Sequence, residues 1–130
     1  MAQNAVSAEN GSTESARRPA RPIDLVHLAR QCLGDAGLEH EILRLFDTTA
    51  KTYFARLQLS TTYDDLAMNL HSLKGAASGV GAWAIADLAR AAETNIKSGQ
   101  PLSPEQIDDI GIAVEEVSAF VTEMLSKEPI

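Results

Sequence analysis

Apolar side chains recur at three- and four-residue intervals through four long stretches of this 130-residue chain, and no alternating run is sustained long enough to make a strand. The spacing predicts helices, and the residues between the stretches are helix stops and starts. Pro22 and Asp24 open a short first segment with Leu25, Leu28, Ala29 and Cys32 on one side, and Gly34 ends it. A second helix, about residues 36–59, carries Leu38, Ile42, Leu45, Phe46, Thr49, Tyr53, Phe54 and Leu57. Ser60, Thr61 and Thr62 offer N-caps for a third, about 63–78, and Thr62 with Asp65 fits a capping box. Its apolar side holds Tyr63, Leu66, Leu70, Leu73 and Ala77, continuing to Val80, with Gly79 and Gly81 as breakers. A fourth, about 82–97, shows Ile85, Leu88, Ala92 and Ile96 before Gly99. Ser103-Pro104-Glu105-Gln106 starts the last, which carries Ile107, Ile110, Val114, Val117, Val121 and Met124. Gly111 within it costs about 1 kcal/mol in propensity. Four long amphipathic helices with short connections predict an all-α fold: an antiparallel four-helix bundle with a short additional N-terminal helix across one end or side.

Composition narrows the function classes. A hydrophobic fraction of 45% supports a packed core. Eleven basic against 18 acidic side chains, net −7, argue against nucleic acid, because neutralising phosphates takes a basic stripe. The single cysteine, Cys32, excludes an internal disulfide and a cysteine-based zinc site, and is read as a small core residue. No apolar run is long enough for a membrane span or a signal peptide, so a cytoplasmic domain is expected. Residues 1–22 differ from the rest: Val6 is the one large aliphatic after Met1, among polar residues and Arg17, Arg18 and Arg21. Such a segment buries too little apolar surface to offset its ordering entropy. The expected organisation is a disordered tail at 1–22 and a helical bundle at 23–130. His27 and His40 lack a second ligand at metal spacing, so no metal site is expected. Trp83 is read as a packing residue or bundle-end cap, and Asp64, Asp65, Asp108, Asp109, Glu115 and Glu116 as solvated helix faces.

One residue does not fit the core pattern. On a wheel of about 100° per residue, the apolar stripe of the third helix centres roughly 130° from His71. The neighbours of His71 on its own side are small, Ala67, Gly75 and Ser78, with Met68 nearby and Lys74 one turn on. A neutral imidazole is a competent nucleophile near neutral pH. A nearby ammonium disfavours the imidazolium form, and pairs with a phosphoryl group once one is attached. Glycine is unfavourable inside a helix, so Gly75 beside an exposed histidine points to steric clearance. On wheel position alone, an ordinary surface histidine beside a lysine stays the competing reading.

The stretch His71-Ser72-Leu73-Lys74-Gly75-Ala76-Ala77-Ser78-Gly79-Val80-Gly81-Ala82, followed by Ile85, Ala86, Leu88 and Glu93, resembles the histidine-containing phosphotransfer (HPt) domain family. Upstream, Gly34-Asp35, Leu38, Leu45 and Phe46 look like the start of that family's second helix, so the resemblance covers about residues 23–127. Ala92 and Gly79 depart mildly from the family pattern, in packing and in the turn. The resemblance implies a four-helix bundle that relays phosphoryl groups to and from receiver domains of response regulators and hybrid sensor histidine kinases. It implies His71 as phosphoacceptor, on the ring nitrogen farther from the backbone, Lys74 as phosphoryl stabiliser and Gly75 as clearance for the partner. Ala67, Met68 and Ser78 are expected in the docking face.

The chain has no glycine-rich nucleotide loop and no His-Glu followed by Arg-Thr-Pro, so neither ATP use nor autophosphorylation is expected. No cofactor is expected on this chain; magnesium is expected on the receiver partner. A chain that begins with Met and ends soon after its last helix is expected to be free-standing rather than a module that serves a kinase in trans; separately, a monomer is expected. The alternative is a binding-only bundle that sequesters a response regulator without transfer.

Overall fold

The structure is a computed structural model, which describes residues 21–127. Apart from its last two residues, the segment expected to be disordered lies outside that range. Five helices follow one another: α1 Leu25–Gln31, α2 Ala36–Leu59, α3 Tyr63–Val80, α4 Trp83–Lys97 and α5 Pro104–Ser126. No strand occurs among the described residues.

Four of the five helix starts are capped by a side chain. Asp24, Asp35 and Thr62 accept from the backbone N–H groups of His27, Leu38 and Asp65, and Ser103 forms a full capping box with Gln106. The Thr62 cap has only the first half of the expected box. α4 has no side-chain cap, because it follows α3 after a turn of two residues, Gly81 and Ala82. Gly81 adopts a left-handed backbone, φ 84°, and Ala82 N–H returns to the Ala77 carbonyl at 2.9 Å. Gly79, expected as a breaker, stays inside the helix, so α3 runs two residues past the expected end. The left-handed turn alone stops it.

The four long helices form a ring. α2 packs against α3 and α5, α4 packs against α3 and α5, and the diagonal pairs make no close backbone approach. The core combines Leu43, Phe46, Ala50 and Leu57 of α2, Leu70, Leu73 and Ala77 of α3, Ile85, Ala86, Ala89, Ala92 and Ile96 of α4, and Ile110, Val114, Val117 and Val121 of α5. Leu38, Leu45 and Tyr63, expected in the apolar stripes, are exposed, whereas Leu43 and Ala50 are buried. Leu45 stands about 200° around α2 from Leu43, so both cannot face one core. Gly111 has a packing reason: a Cβ there would come within 2.7 Å of the Phe54 ring of α2.

α1 covers the end of the bundle where α3 turns into α4. Ile23 and Leu28 are buried there, and Asp24 N–H donates to the Gly81 carbonyl at 2.9 Å. Trp83 Nε1 donates to Asp24 at 2.9 Å and meets the His27 ring edge-on, so this tryptophan caps the bundle end. A Cβ at Gly81 would lie 3.0 Å from Asp24 Cβ and 3.1 Å from its carbonyl oxygen, in a backbone region that L residues avoid. Gly81→Ala is therefore expected to destabilise the fold by about 1–3 kcal/mol, read from the urea midpoint. An unchanged midpoint would mean that the α1 latch yields freely.

Candidate functional site

The site lies on the seam between α3 and α4. Along that seam Ala77, Ala82, Ala86 and Ala89 are fully buried, and such small side chains let two helix backbones approach. The turn at Gly81 sets the two helices antiparallel, which brings residue 93 of α4 opposite residues 71 and 74 of α3. The His71 side chain is 70% exposed, Lys74 is 27% exposed and Glu93 only 6%.

The buried carboxylate organises the rest. Lys74 Nζ donates to Glu93 Oε1 at 2.9 Å. Glu93 Oε2 lies 3.2 Å from His71 Nδ1 and 3.2 Å from Lys97 Nζ, one turn further along α4. Burial pushes the Glu93 carboxyl up, but the hydrogen bonds and charges of Lys74 and Lys97 outweigh it and hold the group below its ordinary value. Glu93 is therefore ionised at neutral pH. An ionised carboxylate only accepts, so His71 Nδ1 carries the proton. In the neutral ring the lone pair then sits on Nε2 of this exposed imidazole.

Lys74 does not face the imidazole as an unpaired cation. It is tied to Glu93, which stands beside both groups. Glu93 was legible as part of the family pattern but was not placed in the site. A sharper signal was available: on the α4 wheel it falls on the stripe of Ala86, Ala89 and Ile96, and an acid on a buried stripe needs partners.

The other expected site residues are distributed along α3. Ala67 and Ser78 are half-buried, and Met68 is 57% exposed. A Cβ added at Gly75 would meet nothing within 4 Å, so packing within the chain does not call for glycine there. His27 belongs to the α1 latch, its Nε2 3.2 Å from the Gly79 carbonyl, and Cys32 is buried and free. Among the described residues no group of three or more His, Cys, Asp or Glu side chains is placed to hold a metal ion. None of the described helices is long and apolar enough to cross a membrane.

The family model for the Hpt domain matches residues 41–122, well over half of the chain and all of the site. The chain belongs to the Hpt domain family. It is thereby a phosphotransfer module of two-component signalling, a family whose members interact with receiver domains. The solved HPT domain of a sensor hybrid histidine kinase from Shewanella has the same fold as this Hpt domain. The TM-score is 0.72 over 84% of this chain and 97% of that one, at 17% sequence identity. No curated protein matches the sequence.

The Glu93 carboxyl links the site of this Hpt domain to stability. Its pKa in the folded state is depressed, so the stability it adds is fully present above its ordinary value of 4.5 and is lost as pH falls through the folded value. Acidifying below 4.5 should lower the urea midpoint, and less so in Glu93→Gln. Identical acid profiles for the two chains would remove Glu93 from the linkage.

Proposed function

We propose that this chain is a phosphorelay carrier that takes a phosphoryl group on His71 Nε2 from a receiver-domain aspartate and passes it to another receiver. The observation that carries the reading is the engagement of the ring: Nδ1 lies 3.2 Å from an ionised buried carboxylate, and Nε2, on a side chain that is 70% exposed, is the nitrogen left for attack. In the transfer, the Nε2 lone pair forms the bond to phosphorus while the acyl-phosphate P–O bond breaks and the aspartate carboxylate leaves. The attacking ring becomes positive as the bond forms. Its Nδ1–H then binds Glu93 more strongly, a stabilisation that grows toward the transition state. Lys74, one turn away, pairs with the transferred phosphoryl oxygens.

The rest of the chemistry comes from the partner: the receiver supplies the aspartate and a magnesium ion, and catalysis rests on in-line positioning and charge stabilisation. The docking face is the exposed side of α3 with Ala67, Met68, Gly75 and Ser78. Leu38 and Leu45, seven residues apart on one edge of α2 and left exposed by the core, extend it. An exposed methionine is an adaptable apolar contact for a protein partner. The carrier works in the cytoplasm and needs no ATP of its own.

The test is transfer from a labelled receiver. Mixed with a phosphorylated receiver domain, the chain should gain acid-labile, alkali-stable label. A chain that binds the receiver but gains no label is a sequestering bundle, and the carrier reading fails.

A further inference from the structure

Two lysines hold one buried carboxylate, and the carrier chemistry uses only one of them. Glu93 keeps Lys74 on Oε1 at 2.9 Å and Lys97 on Oε2 at 3.2 Å, the latter oxygen shared with His71 Nδ1. Lys74 has two incompatible calls on its ammonium group. Before transfer it neutralises Glu93, and after transfer it is needed by the phosphoryl group on the neighbouring ring. A carboxylate that is 6% exposed and left by its only lysine would keep just the ring Nδ1–H, whose positive charge the bound phosphoryl group offsets, and such an under-compensated buried charge is unfavourable. Were Lys74 the only lysine on Glu93, that cost would hold it on the carboxylate.

We infer that Lys97 is a positioning residue for phosphotransfer: it keeps Glu93 neutralised from α4, so that Lys74 is free to leave the carboxylate for the phosphoryl group on His71. The inference rests on the carrier reading above and adds a hand-over within it. Lys97 is suited to the role by its place. It ends α4, is 59% exposed, and reaches Glu93 by the i, i+4 spacing of a single helix, so its hold on the carboxylate does not depend on what docks against α3. Its own ammonium need not touch the phosphoryl group.

Phosphoramidate, a small phosphodonor, tests this without a receiver. His71 Nε2 forms the new N–P bond, the donor's P–N bond breaks, and ammonia leaves. The readout is the half-life of the phosphorylated chain, in which water attacks phosphorus, the Nε2–P bond breaks and inorganic phosphate is released. Lys97→Ala and Lys97→Gln should each shorten that half-life about two- to fivefold, the scale of one partly exposed ion pair. Lys97→Arg should restore it. In a Lys74→Ala background, and in a Glu93→Gln background, removing Lys97 should change nothing, because there is no lysine to release or no charge to cover. A purely structural role would not show this dependence on Lys74.

Effects of Lys97→Ala and Lys74→Ala that multiply independently would overturn the hand-over, as would an unchanged half-life in Lys97→Ala. A wild-type chain that takes no label from phosphoramidate or from a receiver overturns the carrier reading and the hand-over together. A labelled wild type with an indifferent Lys97 overturns only the hand-over.

Discussion

His71→Gln should reduce phosphoryl acceptance from a labelled receiver to background while leaving the bundle folded and the receiver bound. Glutamine suits the test because of what it keeps. Its side-chain amide N–H can still donate toward Glu93 Oε2, so the buried carboxylate retains a partner on that side. The amide offers no nucleophilic lone pair comparable to Nε2, so the N–P bond cannot form. The side chain is 70% exposed, and its replacement opens no cavity, so the thermal midpoint should stay within the narrow range of a surface substitution. The loss should exceed a thousandfold in rate, since no residual pathway through this residue exists; removing a reacting nucleophile elsewhere costs on the order of a million-fold. Label persisting in His71→Gln would move the acceptor to another residue and remove the geometric argument built on Nε2.

The course of the chain was largely legible, and the physics explains which parts were. Helix starts at Asp24, Thr62 and Ser103 are written locally, in residues whose side chains satisfy backbone N–H groups three positions on, so sequence spacing was enough to place them. The exposed face of α3 was legible too, because its apolar stripe leaves His71 outside. Gly79 and Gly81 look alike in sequence, but only the second occupies a left-handed position, where its carbonyl accepts from the Asp24 N–H just before α1. The α2 stripe was read too wide: Leu38 and Leu45 fit a helical spacing but face away from the core. The largest gap was at the site itself. Glu93 lies 22 residues from His71, on another helix, and its partnership follows from the tight turn at Gly81 and the alanine seam, neither of which spacing along one helix reveals. Asn69 is a similar case. It is buried and donates to Ser60 Oγ at 3.0 Å, tying α3 to the end of α2, a link visible only once the two helices are side by side.

The second large effect follows from that carboxylate. Glu93→Gln should slow acceptance about ten- to a hundredfold, the scale of a hydrogen bond to a charged group, about 1.5–3 kcal/mol, when its charge is removed. The substitution preserves shape and keeps an acceptor oxygen, so what changes is charge. Two ammonium groups would then flank a neutral amide, and the imidazole would develop its positive charge during attack with no negative partner at Nδ1. The neutral amide can also present its NH2 group to Nδ1, which favours the other tautomer and puts the proton on Nε2, where the lone pair is needed. Both consequences fall on the rate of acceptance rather than on receiver binding, so the affinity for an unphosphorylated receiver should change little. Nitrogen-15 chemical shifts of the His71 ring separate them, reporting which nitrogen carries the proton in the wild type and in the variant. A wild-type ring protonated on Nε2 at neutral pH, or a Glu93→Gln chain that accepts phosphate at the wild-type rate, would take the buried carboxylate out of the mechanism and leave His71 an exposed nucleophile that nothing in the chain orients.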